Sequence, residues 1–387
     1  MTRSPGVLLL AAAVLLALAA CSRDVPALVE EVEADSTQQN LRAVWREGER
    51  TEAVDSIMAE YAAPDGPGAA VLVARHGEPL VMKGYGLAEL ETARPVTPTT
   101  NFRLASLTKQ FTAATILMLR GEGLLSLDDA IVRYLPELPA YANNVSVRQL
   151  LQHVSGLPDY EDYLRVTHLV PVREREVPYM IADAESLLAP EGTTYHYSNT
   201  GYALLGVIAE RAAGLPFPEV LRTRIFAPAG MDGSIAYVTD GPPVRERAYG
   251  YSRARVLRRW KRTDQSMTSA VLGDGGIYSS VRDWLRWDRA WNSFLLLDSL
   301  TQEEAFTPGM LADGSQTTYG YGWMVEHYRG LRAVAHSGGT MGFTHFMVRF
   351  PEDQFTVVIL SNRGGTSVVP LVFRIVDLYL AGTLPPA

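Results

Sequence analysis

The chain has 387 residues, 47% of them hydrophobic and 20% charged, with a formal net charge of −8. That balance excludes a disordered, collagen-like or coiled-coil chain, and the length accommodates one large domain or two ordinary ones. With 35 Lys+Arg against 43 Asp+Glu, the chain lacks the basic footprint of a general nucleic-acid binder, and no nucleic-acid partner is expected.

Arg3 precedes an apolar run from Val7 to Ala20 that ends in Leu18-Ala19-Ala20-Cys21. The run is too short to span a bilayer comfortably and has the layout of a secretory signal. Its ending resembles a bacterial lipoprotein signal. The resemblance implies removal of residues 1–20, lipidation of Cys21, and a lipid anchor that ties the protein to a membrane of the bacterial cell envelope. Ser22 resembles the outer-membrane sorting choice of a Gram-negative host, which would face the protein to the periplasm. Cys21 is the sole cysteine, so an intrachain disulfide and a zinc site built from several thiolates are excluded. Residues 21–50 read as a tether rich in acids, Ser and Gln that runs into an N-terminal helix. Leu41, Val44, Trp45, Val54, Ile57, Met58 and Tyr61 supply that helix with a face to pack on the domain.

Two β-prone runs, Ala69–Arg75 and Pro79–Gly84, flank His76-Gly77, a hairpin signal. The middle of the chain is mostly helical, with candidates at Phe111–Leu119, Val147–Gln152 and Tyr202–Ala213, the last closed by Gly214. Strands return at Ala333–His336, Phe343–Phe350 and Phe355–Ser361, and Val368–Leu380 reads as a terminal helix. This order suggests one discontinuous α/β lobe, about residues 51–104 and 268–387, interrupted by a helical lobe of about 105–267.

Three short motifs carry chemistry. In Ser106-Leu107-Thr108-Lys109 the ammonium lies one helical turn from the hydroxyl, on the same face. Only three lysines (Lys83, Lys109, Lys261) occur among the 35 basic residues, so a Lys retained here has a use that Arg cannot fill. Ser is a poor nucleophile until a base takes its proton, and a neighbouring Lys at a helix start can assist. Of two Tyr-x-Asn triplets, Tyr141-Ala142-Asn143 sits in a Pro-rich loop. Tyr197-Ser198-Asn199 leads directly into a helix, with Asn199 or Thr200 as its cap, and a firm helix start can aim a tyrosine. His336-Ser337-Gly338-Gly339 ends a β-prone run, where paired glycines let a substrate backbone approach and leave N–H groups free.

In this order, the three motifs resemble the serine β-lactamase and penicillin-recognising enzyme family, specifically its class C-like branch of β-lactamases, DD-peptidases, D-amino-acid amidases and carboxylesterases. Leu150–Leu157, Gly275–Ser279 and Tyr319–Trp323 add to the likeness, which runs from about residue 55 to about 380. It implies the β-lactamase/transpeptidase-like fold, an α/β (α+β) architecture with an antiparallel sheet flanked by helices plus an inserted all-helical lobe. Residues 51–387 would then form the catalytic domain.

By this resemblance Ser106 attacks a carbonyl to form an acyl-enzyme, and Lys109 holds Tyr197 partly ionised. Tyr197 acts as general base and activates the deacylating water, Asn199 orients the substrate and Lys109, and the N–H groups of Ser106 and Gly339 form the oxyanion hole. Where β-lactamases of this branch have Lys-Thr-Gly or Lys-Ser-Gly, this chain has His336-Ser337-Gly338. A neutral His lacks the permanent charge that holds a β-lactam or stem-peptide carboxylate. The expectation is a serine hydrolase acting on an ester or amide, of the esterase or D-amino-acid amidase/peptidase type. A β-lactamase or DD-carboxypeptidase is the alternative, and a non-catalytic binding or sensor lipoprotein is the alternative from another class.

Arg253, Arg255, Arg258, Arg259, Lys261 and Arg262 form a basic run that reads as a solvated loop or edge hairpin. His153 reads as a packed or turn residue. The histidines show no H-E-x-x-H spacing, and G-x-S-x-G, Walker A and G-x-G-x-x-G are absent, so no metal and no cofactor are expected. Nothing indicates an obligate protein partner.

Overall fold

A computed structural model describes residues 47–164, 170–254 and 259–380. Cys21 and most of the tether lie outside the described residues, as do Arg255 and Arg258 of the basic run. The first element is helix α1 (Glu47–Ile57), followed by the antiparallel pair β1 (Ala69–Arg75) and β2 (Glu78–Tyr85). His76 and Gly77 join them with φ of 54° and 74°, the left-handed conformation that a two-residue hairpin turn demands. Next come the two-residue strand β3 (Phe102–Arg103) and helices α2 (Lys109–Gly121), α3 (Val147–Leu151) and α4 (Asn199–Ala213). Gly214 ends α4 at φ 68°, where only a residue without a Cβ sits at no cost.

The insert is helical this far and then carries short strands: β4 (Ile235–Ala236), β5 (Tyr251–Arg253) and β6 (Trp260–Arg262). Strands β5 and β6 form a hairpin that holds the described part of the basic run. The Arg253 guanidinium lies 4.9 Å from the Trp260 ring centroid, and Arg262 pairs with Glu89 and Glu91. The remaining elements are β7 (Ile277–Ser279), α5 (Val281–Asn292), β8 (Met324–Tyr328), β9 (Leu331–Thr340), β10 (Phe343–Phe350), β11 (Phe355–Ser361) and α6 (Val369–Leu380).

Six strands form one antiparallel sheet in the order β8-β9-β10-β11-β1-β2. The first and last parts of the chain meet at its centre, where Ala69–Arg75 pairs with Phe355–Ser361. Helices cover both faces, and β11 shows how. Phe355 packs on Tyr379 of α6, while its neighbour Thr356 donates to Asp288 of α5. Successive side chains of a strand point to opposite faces, so every residue of β11 is buried. Asp288 also holds Arg349 in a buried ion pair, which compensates the guanidinium's desolvation. A second, three-stranded ladder, β3-β7-β4, stands beside the main sheet. It delivers the chain from β3 into α2, and the site lies where this turn meets the second half of β9. Among the described residues no helix is long and apolar enough to cross a membrane.

Candidate active site

Between β3 and α2 the chain turns through Ala105, whose φ of 49° is left-handed although the residue is not glycine. Such a conformation costs about 1–3 kcal/mol and persists only where surrounding structure imposes it. Here Leu104 N–H is fixed on the Ile277 carbonyl at 2.8 Å. A single 3₁₀ turn, Ala105–Thr108, then presents Ser106 at the start of α2. Lys109 is fully buried. Its Nζ donates to Ser106 Oγ at 3.1 Å, Asn199 Oδ1 at 2.8 Å and the Asp274 carbonyl at 3.0 Å. Three acceptors around one nitrogen match the three hydrogens of an ammonium, and a planar guanidinium would not satisfy all three.

Tyr197 enters from the loop before α4. Its ring lies 4.3 Å from that of His153 between centroids, and Lys109 Nζ is 5.0 Å from its centroid. His153 is packed and buried, and its Nδ1 accepts the Ser198 N–H at 3.2 Å. The cap of α4 differs from expectation. It is Ser198, whose Oγ accepts the Thr200 N–H at 3.2 Å, rather than Asn199 or Thr200. The reason is that Asn199 is engaged elsewhere: Oδ1 takes Lys109, and Nδ2 donates to Glu161 Oε1 at 3.1 Å. Buried Asp159 locks the arrangement by accepting from Ser198 Oγ at 3.0 Å and Asn199 N–H at 2.8 Å. The other triplet lies in a 3₁₀ turn, with Tyr141 donating to the Ile181 carbonyl at 2.6 Å.

Strand β9 supplies the third side. A Cβ on Gly338 would come within 2.4 Å of the Leu104 carbonyl, so only glycine lets the strand lie this close to the nucleophile's turn. Gly339 is open and lines the cleft beside Ser106. His336 does not line it. It is buried, Nδ1–H donating to the Ser337 carbonyl at 2.6 Å and Nε2 accepting from Tyr319 Oη at 2.7 Å. Burial, and then the charge of Lys109, push its pKa down to about 3, so the imidazole is neutral. Half-buried Ser337 pairs with Phe346 in the ladder.

Ser106, Tyr197, Asn199 and Gly339 border one cleft, open to solvent and about 680 Å³, together with three charged residues the sequence reading passed over, Glu161, Arg103 and Asp274. Burial pushes Glu161 up to about 8, with the neighbouring charges of Asp159 and Asp274 adding to it. Asp274, also on the cleft wall, is raised to about 6 by burial against the pull of Lys109 and of the Tyr160 hydroxyl, which donates to it at 2.8 Å. The acids follow the Leu150–Leu157 stretch and precede Gly275, so their motifs were visible, but their convergence on Lys109 was not. Among the described residues, no group of three or more His, Cys, Asp or Glu is arranged to hold a metal ion.

This geometry is a nucleophile, an ammonium and a phenol around a water-accessible cleft, a layout suited to acyl transfer. A family model for β-lactamases matches residues 54–379, and the chain belongs to that family, whose members are serine hydrolases. Among curated relatives, penicillin-binding protein 4* of Bacillus subtilis is 34% identical over 307 residues, 76% of this chain and 67% of that one. The D-aminopeptidase of Gluconobacter oxydans is 29% identical over 321 residues, 80% of this chain; the match spans only 58% of the relative's length. The solved structure of a D-amino acid amidase from Ochrobactrum anthropi SV3, complexed with L-phenylalanine amide, is 27% identical with a TM-score of 0.73. It covers 86% of this chain and 99% of its own.

Proposed function

We propose that the protein hydrolyses amides or esters through an acyl-enzyme on Ser106, and that its preferred substrates carry a free amino group next to the scissile carbonyl. The observation that carries the first part is the set of three hydrogen bonds from Lys109, which ties Ser106 to the Tyr197-Ser198-Asn199 loop. Lys109 donates to Ser106 Oγ, leaving the hydroxyl proton free to pass to Tyr197 as Oγ attacks the carbonyl carbon. Tyr197 hands that proton to the leaving nitrogen or oxygen as the C–N or C–O bond breaks. It then takes a proton from water, whose oxygen attacks the acyl-enzyme, and Ser106 recovers its proton on release of the acid. The N–H groups of Ser106 and Gly339 receive the oxyanion in both halves.

Glu161 supports the second part. Its carboxylate borders the cleft and is oriented by Asn199, where it can receive a substrate ammonium. The relatives named for D-amino-acid substrates agree with this class, and an aminopeptidase or amidase therefore leads over a plain esterase. The β-lactamase or DD-carboxypeptidase reading lacks the cation that His336 would have to provide. A lipid anchor at Cys21, which the Leu18-Ala19-Ala20-Cys21 ending supports, completes the proposal and would hold the protein to a bacterial envelope membrane.

The test assays the purified full chain and its Ser106→Ala variant on p-nitrophenyl butyrate, nitrocefin and D-alanine p-nitroanilide. The expected result is Ser106-dependent turnover of the butyrate and the anilide, with nitrocefin slow or inert. Full activity in Ser106→Ala would overturn the mechanism, and fast Ser106-dependent nitrocefin turnover would make the protein a β-lactamase.

A further inference from the structure

One of the three acceptors around Lys109 is a backbone carbonyl, that of Asp274, and it is only as well placed as the turn that carries it. This turn, Leu272-Gly273-Asp274, is held from behind the cleft. Thr112 Oγ1 on α2 donates to the Gly273 carbonyl at 2.7 Å. Glu174 takes two successive N–H groups: Leu272 N–H donates to Oε2, and Gly273 N–H donates to Oε1 at 2.9 Å and Oε2 at 3.0 Å. Glu174 is only 7% exposed, does not border the cleft, and forms no ion pair among the described residues. A buried carboxylate without a cation is costly, so these hydrogen bonds have to compensate it. The acyl transfer described above gives it no part.

Two glycines make room for this carboxylate. A Cβ on Gly206 of α4 would lie 2.3 Å from Glu174 Oε1. One on Gly273 would lie 2.8 Å from the same atom and 2.4 Å from the Tyr202 carbonyl of α4. The carboxylate is therefore wedged where α4 meets the turn. Its own backbone runs along the stretch leading to that turn: Val172 N–H donates to the Met267 carbonyl at 2.8 Å, and Arg173 bridges Ala270. Helix α4 begins with Asn199, a second acceptor of Lys109, and the turn supplies the Asp274 carbonyl. Glu174 thus joins the two elements that meet at the ammonium.

We infer that Glu174 is a positioning residue for Lys109. By fixing the Leu272-Gly273-Asp274 turn against α4, it keeps the Asp274 carbonyl and Asn199 Oδ1 where the ammonium can also reach Ser106 Oγ. The inference rests on the acyl-enzyme reading of Ser106 and Lys109. It requires a loss in the chemical step and none in substrate binding, since Asp274 borders the cleft and Glu174 does not.

The experiment measures kcat and KM for p-nitrophenyl butyrate with the purified full chain, expressed per folded enzyme as read by near-ultraviolet circular dichroism. Glu174→Gln keeps one acceptor oxygen and should lower kcat about tenfold, with KM within about twofold of the wild type. Gly206→Ala, whose methyl displaces the carboxylate from the other side, should lower kcat in the same way. In a Glu174→Ala background, Gly206→Ala should cost less than about twofold more, because the methyl enters space the carboxylate has left. Should the Glu174→Ala variants fail to fold, Glu174→Gln and Gly206→Ala decide. A kcat per folded enzyme unchanged in Glu174→Gln, a loss confined to KM, or fully additive losses in the double variant overturns this inference alone. A wild type without Ser106-dependent turnover overturns it together with the acyl-enzyme reading.

Discussion

At the scale of single residues, the cleft is governed by which groups are charged, and burial sets that. Glu161 must be ionised to receive an ammonium, yet its pKa is pushed up to about 8. Affinity for an amine substrate is therefore present above that value and is lost as pH falls through it. On the alkaline side the substrate's own α-ammonium, near pKa 8, gives up its proton. The ratio of kcat/KM for D-alanine p-nitroanilide to that for p-nitrophenyl butyrate should pass through a maximum near pH 8. In Glu161→Gln the acid limb should flatten, and a ratio independent of pH in the wild type would remove Glu161 from the assignment. His336 obeys the same physics with the opposite sign. A Lys introduced there would be a buried cation beside Lys109, without a carboxylate partner. His336→Lys should lower the denaturant midpoint by the equivalent of about 3 kcal/mol or more and leave nitrocefin turnover no faster.

At the scale of elements, the position of Tyr197 depends on how α4 begins. Ser198 caps the helix, and Asp159 holds both Ser198 and Asn199 from a segment 40 positions earlier. Ser198→Ala removes one cap bond and one donor to Asp159, which should cost about 1–2 kcal/mol in urea unfolding. Asp159→Asn should lower kcat more than it raises KM, because Tyr197 loses its aim while the cleft keeps its shape. A change confined to stability would assign Asp159 a purely structural part. The same loop shows where the sequence was legible. β-prone runs and helical patterns marked five of the six sheet strands and α4 within a few residues, while the edge strand β8 went unread, and Gly214 marked the end of α4. The order of motifs singled out Ser106, Lys109, Tyr197 and Asn199, all four of which border or support the cleft. The cap was misread because Asn199 looks like a cap in isolation, and only its bonds to Lys109 and Glu161 divert it. Glu161, Asp274 and Arg103 were missed for a related reason. A charged residue declares its role through what it faces, and these face one another across segments up to 171 positions apart in the chain.

At the scale of the whole molecule, the question is where such a cleft works. The folded domain joins its first and last strands at the centre of one sheet, so α1 and α6 lie on one face while the cleft opens at the junction of β9 with the helical insert. The described chain begins at α1, which packs on α6, and an anchor ahead of it should leave the cleft accessible to small substrates. If Cys21 carries acyl chains, the wild-type chain expressed in a bacterial host should partition into the detergent phase and incorporate labelled palmitate. Cys21→Ser should do neither, and should keep its kcat/KM for p-nitrophenyl butyrate, because every residue assigned to the chemistry lies within the folded domain. Palmitate incorporation that persists in Cys21→Ser, or a wild type that stays wholly in the aqueous phase, would refute the anchor. The Ser106 chemistry would stand in either case, since the hydrogen bonds around Lys109 are made entirely within residues 106–274.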